Sequence, residues 1–418
     1  KTFVAFVVFI KCSTNQATPS MVDVSAIYFN LFLFHYFFKM VPKQIDCFET
    51  ILTYWKLLAI WPSEKLARYF KYYSKIFAVF FVVTYDILLT INFHFLPRQL
   101  DVFIEEMIFF FTEIAILCKA LTFLFMRDKI EEILDVLECD IFQPDIDEDL
   151  RIVQTSKLFV RKYWKFEAFI SYTSNLTHVL TPLMLHLFLS VKLELPVCSY
   201  FFIPESIKET FIYPLYLYQS FGMHFHMLYN VNINGFILGC MVLTIAQLEV
   251  LDNKLRRVTS YGKAVTKTQN VKDREYVTQL ELKKCIIHFD KIFKFCCLVE
   301  NAFSQTLFVQ FCMSSCIICI CLFRFTLPAP SAYYIFLTTY MTVMVFQVYV
   351  VCWFGSRIME ASSKLSVAIY NCDWIEQPRQ FKSNLRLFVE RMNKPLSITG
   401  CKMFPVSLST FTSVSFIL

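Results

Sequence analysis

The chain is 418 residues long, 56% hydrophobic and only 18% charged, with 48 phenylalanines and a mean hydropathy of +0.51. Soluble domains carry about a quarter charged residues, so this composition excludes an ordinary soluble domain and points to an integral membrane protein. The net charge of +6 suits basic loops beside anionic lipid and gives no ground for expecting a nucleic-acid partner.

Residues 1–42 are expected to be an extension outside the fold. Their Phe-rich run at 24–38 is too short for a span, and their composition is that of translated A/T-rich non-coding sequence. Residues 1–10 mimic a signal peptide, yet cleavage there would place the next segment outside, against the distribution of charge along the chain. From residue 43 onward, seven apolar stretches, at 76–96, 102–126, 168–191, 215–248, 301–323, 331–354 and 395–418, are each long enough to cross a bilayer, which takes roughly 20 residues. The segments 43–75, 127–165, 249–300 and 355–394 hold 6, 7, 11 and 7 Lys and Arg. The alternate loops hold only Arg98, Lys192, Lys208 and Arg324. The positive-inside rule then predicts a cytoplasmic N-terminus and an extracellular C-terminus. This orientation is inverted relative to a G-protein-coupled receptor.

The approach at 43–75 carries CFETILTYWKLLAIWPSE, an amphipathic stretch expected to lie at the membrane interface and lead into the first span. Asp86 interrupts that span, and Glu105, Glu106, Glu113 and Lys119 punctuate the second. Charges at membrane depth are costly, so Asp86 and Glu113 face either a hydrated cavity or a partner on a neighbouring helix. His178 and His186 flank Pro182 at four-residue spacing in the third stretch, and serve either polar packing or ligand contact. Asn175 opens a glycosylation sequon, but at a depth where glycosylation is not expected.

The fourth stretch is uncharged, with His226, Asn230 and Asn234 spaced as one polar stripe for interhelical hydrogen bonds. Beyond it, 247–258 and 279–299 read as soluble-type helices, the latter with Leu282, Ile286, Phe289 and Phe293 at three- and four-residue steps. Together they predict a helical cytoplasmic extension whose apolar faces need burial. Of the 16 cysteines, Cys198 alone lies in a clearly external loop, and no external partner for it is visible. Cys316 and Cys319 read as small packing residues rather than zinc ligands. With six glycines, no phosphate-cradling loop and neither HExxH nor GxSxG, the chain is not expected to be an enzyme, and no cofactor or metal is called for. No internal repeat of the transporter kind is evident.

The last segment resembles the C-terminal region of insect odorant receptors. The residues that carry the resemblance are Trp374, a basic helix from Arg379 to Arg391, Pro395-Leu396, Gly400, Phe404, Ser407-Leu408 and Phe411. It extends upstream to Trp61-Pro62 and so covers about residues 43–418. It implies an all-α integral membrane protein of seven transmembrane helices with a helical cytoplasmic anchor, residing in the plasma membrane of olfactory neuron dendrites. By the same resemblance, the chain is a variable odorant-binding subunit that assembles with a shared co-receptor into a heterotetrameric cation channel. The final helix would line the pore, and the extension at 247–299 with the basic helix at 379–394 would form subunit contacts.

A small volatile odorant suits a cavity walled by aromatic residues with a few polar groups. In this family that cavity lies in the outer half of helices two, three, four and six. Residues at that depth here are Met107, Phe110 and Phe111; Thr177, Thr181 and Met184; Tyr218, Phe221 and Met223; and Tyr334, Phe336 and Tyr340. These are depth assignments, and contact with membrane lipid or with a neighbouring helix is the alternative at each position. A last helix from Met403 to Leu418 would reach roughly 24 Å at 1.5 Å per residue, short of a hydrocarbon core about 30 Å thick. It is therefore expected to be incomplete, with Phe404, Leu408 and Phe411 on one face, flanked by Ser407 and Thr410 and continued by Val414. These six either border the pore or only pack. Gustatory receptors share the topology, but their TYhhhhhQF hallmark is not visible, and the co-receptor itself is a longer chain.

Overall fold

No Asp, Glu, Lys or Arg occurs between Ile212 and Leu248, so a helix through this stretch is apolar on every side. Such a helix belongs in an interior. Its hydrophobic segment is 89% buried, against 28% to 39% for the other four helices long and apolar enough to cross a membrane. The remaining elements are arranged around it.

The structure, a computed structural model, describes residues 44–61, 72–74, 76–144, 146–265, 271–328 and 331–417. In chain order these form a 3-10 turn (Gln44–Phe48) and α1 (Glu49–Leu57), then a π-helical turn (Ala78–Val83) leading into α2 (Thr84–His94). Next come α3 (Leu100–Phe125), α4 (Arg127–Leu137), a 3-10 turn (Asp140–Phe142), α5 (Asp147–Leu189) and the short α6 (Glu205–Thr210). The central helix is α7 (Ile212–Val265), followed by α8 (Val271–Phe325), α9 (Ser331–Tyr370), α10 (Arg379–Met392), strands β1 (Thr399–Gly400) and β2 (Phe404–Pro405), and α11 (Leu408–Ile417). The extension at 1–42, Pro62 and the basic residues Lys65, Arg68 and Lys71 lie outside the described residues.

The helices occur in the order of the seven apolar stretches, with three differences. The third helix is 43 residues long and begins at Asp147 rather than 168. Its charged first half continues straight into an apolar half diluted by Ser, Thr, Asn and His. Three acids in its first turn, Asp147, Glu148 and Asp149, complement the positive end of its dipole. Asp149 is fully buried, and both its carboxylate oxygens accept from Nη2 of Arg257 on α7, each at 2.8 Å.

Second, the amphipathic approach packs its apolar face into the bundle. Phe48, Ile51 and Trp55 are wholly buried in the main core, the Trp55 ring 4.7 Å from Phe123 and 4.8 Å from Phe236. Gly239 on α7 leaves open the space that Phe48 fills, as small residues do where helices approach closely.

The third difference is at the end. Residues 395–407 are not helical: β1 pairs antiparallel with β2, with Gly400 opposite Phe404, and Cys401 and Lys402 take positive φ of 49° and 59° in the turn. Pro405 cannot donate to a helical ladder. The helix therefore starts only at Leu408, where the buried Ser407 hydroxyl accepts the Thr410 N–H at 3.3 Å as an N-cap.

At the end of the bundle that carries the basic segments, α7 and α8 run on for 54 and 55 residues, or about 80 Å at 1.5 Å per residue. Leu282, Phe289 and Ile292 of α8 are buried. They meet the stripe Phe381, Leu385, Phe388 and Met392 of α10, with Phe289 and Phe388 rings 5.5 Å apart. The apolar faces expected to need an outside partner are thus largely closed within the chain, while Phe293 and Leu387 stay exposed.

Candidate ligand-binding site

At the opposite end, the segment between α5 and α7 folds back over the bundle. Ser190 stops α5 in the left-handed region at φ 52°, and the two histidines of that helix secure the segment beyond it. His178 Nε2 lies 2.6 Å from the Pro196 carbonyl and His186 Nδ1 2.7 Å from that of Val191. A carbonyl only accepts, so each ring donates; both imidazoles perform polar packing. Gln219 of α7, itself fully buried, accepts the Val197 N–H at 3.0 Å and donates to the Cys198 carbonyl at 2.8 Å. Asn92 of α2 accepts the Phe201 N–H at 2.7 Å. Val197, Cys198 and Tyr200 consequently cover Tyr85 and Leu89, and the Cys198 thiol is free. On the exposed side of this lid, hydrogen bonds from Lys192 and Lys208 hold the Glu205 carboxyl down to about 2.

Beneath the lid two apolar clusters flank α3. One joins Ile104, Ile108, Ile317, Cys321, Leu337 and Met344, with Phe111 and Tyr340 against it. The other is the Tyr85 cluster under the lid, with Phe109, Tyr218 and Met223 against it. Phe109 links them, its ring 5.6 Å from His178 and 6.5 Å from Tyr340. The Thr112 hydroxyl donates to the Ile108 carbonyl at 2.9 Å and so accepts from the Tyr340 hydroxyl at 2.5 Å. The result is an aromatic wall with one hydroxyl pair and one imidazole nearby, chemistry that accommodates a small, mostly apolar molecule.

Of the residues named from depth, Phe111, Tyr340, Tyr218 and Met223 come into these clusters. Phe110 stacks instead on Phe93, centroids 4.8 Å apart, and Met107 is half-buried. Tyr334 stacks on Phe325 at 6.0 Å and donates to the Leu327 carbonyl at 2.6 Å. Thr177, Thr181, Met184 and Phe221 are exposed on the flank of the bundle, the two threonine hydroxyls donating to their own helix four residues back. The side chain of Phe336 lies outside the described residues. Phe109, Thr112 and His178 were not among the depth assignments. Phe109 was legible in phase, because it sits one helical turn before Glu113 on the inward face.

Deeper in the bundle the predicted polar stripe is realised. Lys119 Nζ donates to Asn230 Oδ1 at 2.6 Å and Asn234 Oδ1 at 2.8 Å, and Asn234 passes a bond to Glu167 at 3.2 Å. His226 Nδ1 pairs with Glu113, and its Nε2 lies 3.0 Å from the Phe81 carbonyl. Glu113 thus has its partner on a neighbouring helix. Asp86 does not: both its carboxylate oxygens are buried without a hydrogen-bond partner.

Phe404 from β2 and Leu408 and Phe411 from α11 pack against the main core, Phe411 5.6 Å from Tyr349. Ser407 is buried as the cap, and Thr410 donates to the Pro405 carbonyl at 2.6 Å. Among the described side chains of α11, the exposed hydroxyls are Ser409, Thr412 and Ser413, and the Val414 side chain is outside the described residues.

Five helices among the described residues are long and apolar enough to cross a membrane, and with packed aromatic clusters under a lid at one end and a long helical anchor at the other they define the class as a multi-pass helical membrane protein. The model of the family described as 7tm odorant receptor matches residues 99–415, and the chain belongs to that family. Odorant receptor 2a of Drosophila melanogaster is 26% identical over 202 residues, 47% of this chain and 51% of that protein. Odorant receptor 67c of the same species is 34% identical over 129 residues, 31% of this chain and 32% of that one. The odorant receptor coreceptor of Aedes aegypti is 32% identical over 88 residues, 21% of this chain and 18% of that one. The chain spans about half the length of the first of these relatives, and less of the others. In fold it is similar to the insect olfactory receptor OR5 from Machilis hrabei in complex with eugenol, with a TM-score of 0.74 at 15% identity, covering 90% of this chain and 97% of that one.

Proposed function

We propose that this chain is the odorant-binding subunit of a heteromeric ligand-gated cation channel that detects volatile chemicals. The observation that carries the reading is the aromatic wall of Phe109, Phe111 and Tyr340 with the Thr112–Tyr340 hydroxyl pair, in a chain of the odorant receptor family. It is supported by the likeness to a receptor whose structure holds eugenol, a small aromatic molecule. The partner is the odorant receptor co-receptor, in a heterotetramer in the plasma membrane of olfactory neuron dendrites. The ligand sits against this wall, which is apolar apart from the Thr112–Tyr340 pair and the nearby His178 imidazole, so affinity follows apolar area and selectivity follows these few polar groups. Ser409, Thr412 and Ser413, rather than the packed face of the last helix, border the pore. The test is cation current across a panel of volatiles with and without the co-receptor. Odorant-evoked current is expected only on co-expression, and robust current from this chain alone would overturn the heteromeric reading.

A further inference from the structure

Three helices each contribute one metal-ligating side chain to a single point in the bundle: Asp86 from α2, Glu113 from α3 and His226 from α7. One ligand atom of each, all within 4.8 Å of one another, makes this a closed set of two carboxylates and one imidazole. Ligands about a tetrahedral zinc ion sit roughly 3.4 Å apart, given bonds of about 2.0–2.1 Å. Small side-chain rotations therefore close the set around an ion.

Charge accounting points the same way. The Phe81 carbonyl can only accept, so His226 Nε2 carries a proton, and the Nδ1 contact with Glu113 then holds one further shared proton. The Glu113–His226 pair is neutral overall whichever partner holds that proton. It therefore offers Asp86 no net counter-charge and no hydrogen bond, and both Asp86 oxygens are buried without a hydrogen-bond partner. Lys119, the cation further along this face, is taken up by Asn230 and Asn234. An unpaired carboxylate at membrane depth is expensive. We propose that Asp86, Glu113 and His226 bind a divalent transition-metal ion of the zinc class within the membrane bundle.

Binding displaces the proton shared by Glu113 and His226. Two carboxylates and a neutral imidazole around a doubly charged ion then sum to zero, which removes the isolated charge. The Nε2–H bond to the Phe81 carbonyl is the outer contact that typically fixes the ring of a metal-ligating histidine. Phe81 belongs to the π-helical turn Ala78–Val83, a local irregularity frequent at functional sites. Imidazole with carboxylate favours zinc and similar ions over magnesium or calcium, and the absence of a thiolate in the set disfavours copper(I). The site does not depend on odorant binding or on the co-receptor.

The test uses the purified full chain in lipid nanodiscs, equilibrated with zinc, freed of loose metal on a weak chelating resin and assayed by elemental analysis. About one zinc per chain is expected, falling at least tenfold in Asp86→Asn, which removes a ligand without removing a hydrogen bond. A zinc content no higher in the wild type than in Asp86→Asn, at equal elution as a monodisperse species, overturns the proposal. Cobalt(II) on the wild type gives a second reading that needs no variant. Intense visible bands of a four-coordinate ion, bleached by zinc, support the site. Their absence overturns it, as does a carboxylic-acid infrared band in zinc-equilibrated wild type that Asp86→Asn abolishes.

Discussion

At the scale of single residues, the chamber and the flank of the bundle make opposite predictions from chemically similar side chains. Tyr340 packs on the cluster around Ile108 and Leu337 and donates its hydroxyl to Thr112. Tyr340→Ala removes aromatic contact worth about 1 kcal/mol, which corresponds to roughly a fivefold shift in the odorant dose response. Thr181 was placed at the same depth, but it is exposed and satisfies its hydroxyl on its own helix. Thr181→Val should leave the dose response unchanged. The pair is measured as current against odorant concentration at matched surface level, and equal shifts in both would show that the chamber is misplaced. Gly355 makes a different kind of prediction. A Cβ there would run into the Val406 backbone carbonyl, just after the final hairpin, which lies against α9. Because backbone cannot rotate aside, Gly355→Ala should lower surface delivery severalfold in a cell-surface labelling assay, while Ser363→Ala on the exposed side of α9 should not.

At the scale of elements, the last helix shows where sequence patterning was legible and where it was not. The Phe404, Leu408 and Phe411 spacing reads as one helix face that borders the pore or packs; all three pack against the core, Phe404 from β2 rather than the helix, because apolar spacing reports burial without reporting against what. It could not report that Gly400, Cys401 and Lys402 turn the chain before the helix begins, since positive φ at non-glycine residues leaves little trace in composition. The same holds for Glu113 and His226, 113 positions apart: each reads as a polar oddity, and only helix packing makes them a pair. Long uncharged stretches, by contrast, were read well, because lipid forces all backbone groups into helices. The open face of the last helix is Ser409, Thr412 and Ser413. Cysteines at these three positions should react with a water-soluble thiol reagent in an odorant-dependent manner, whereas cysteine at the capping position Ser407 should stay protected. Protection of all three would place the pore elsewhere. In the anchor, Arg257 Nη2 donates to both oxygens of the fully buried Asp149. Arg257→Ala leaves that carboxylate unpaired and should cost about 3 kcal/mol, read as a lowered unfolding temperature of the purified chain. The double variant Arg257→Ala with Asp149→Ala should recover part of it, and no recovery would mean the pair contributes only by packing.

At the scale of the whole molecule, the orientation we propose rests on a contrast in charge rather than on any contact. Thirty-one Lys and Arg lie in the four segments flanking the spans on one side, and four lie in the loops on the other. The structure sharpens what each side does. The basic side carries the long continuations of α7 and α8, closed by α10 through Phe289 and Phe388. The sparse side carries the lid pinned by Gln219, Asn92, His178 and His186. A ligand arriving from outside meets the lid first only if the basic side is cytoplasmic, so topology and the chamber's role stand together. An epitope inserted at residue 270 should therefore be stained only after the cells are permeabilised, and one in the exposed turn at Glu205 should be stained on intact cells. Staining of residue 270 on intact cells would invert the receptor, place the lid in the cytoplasm and remove the route by which an external volatile reaches Tyr340.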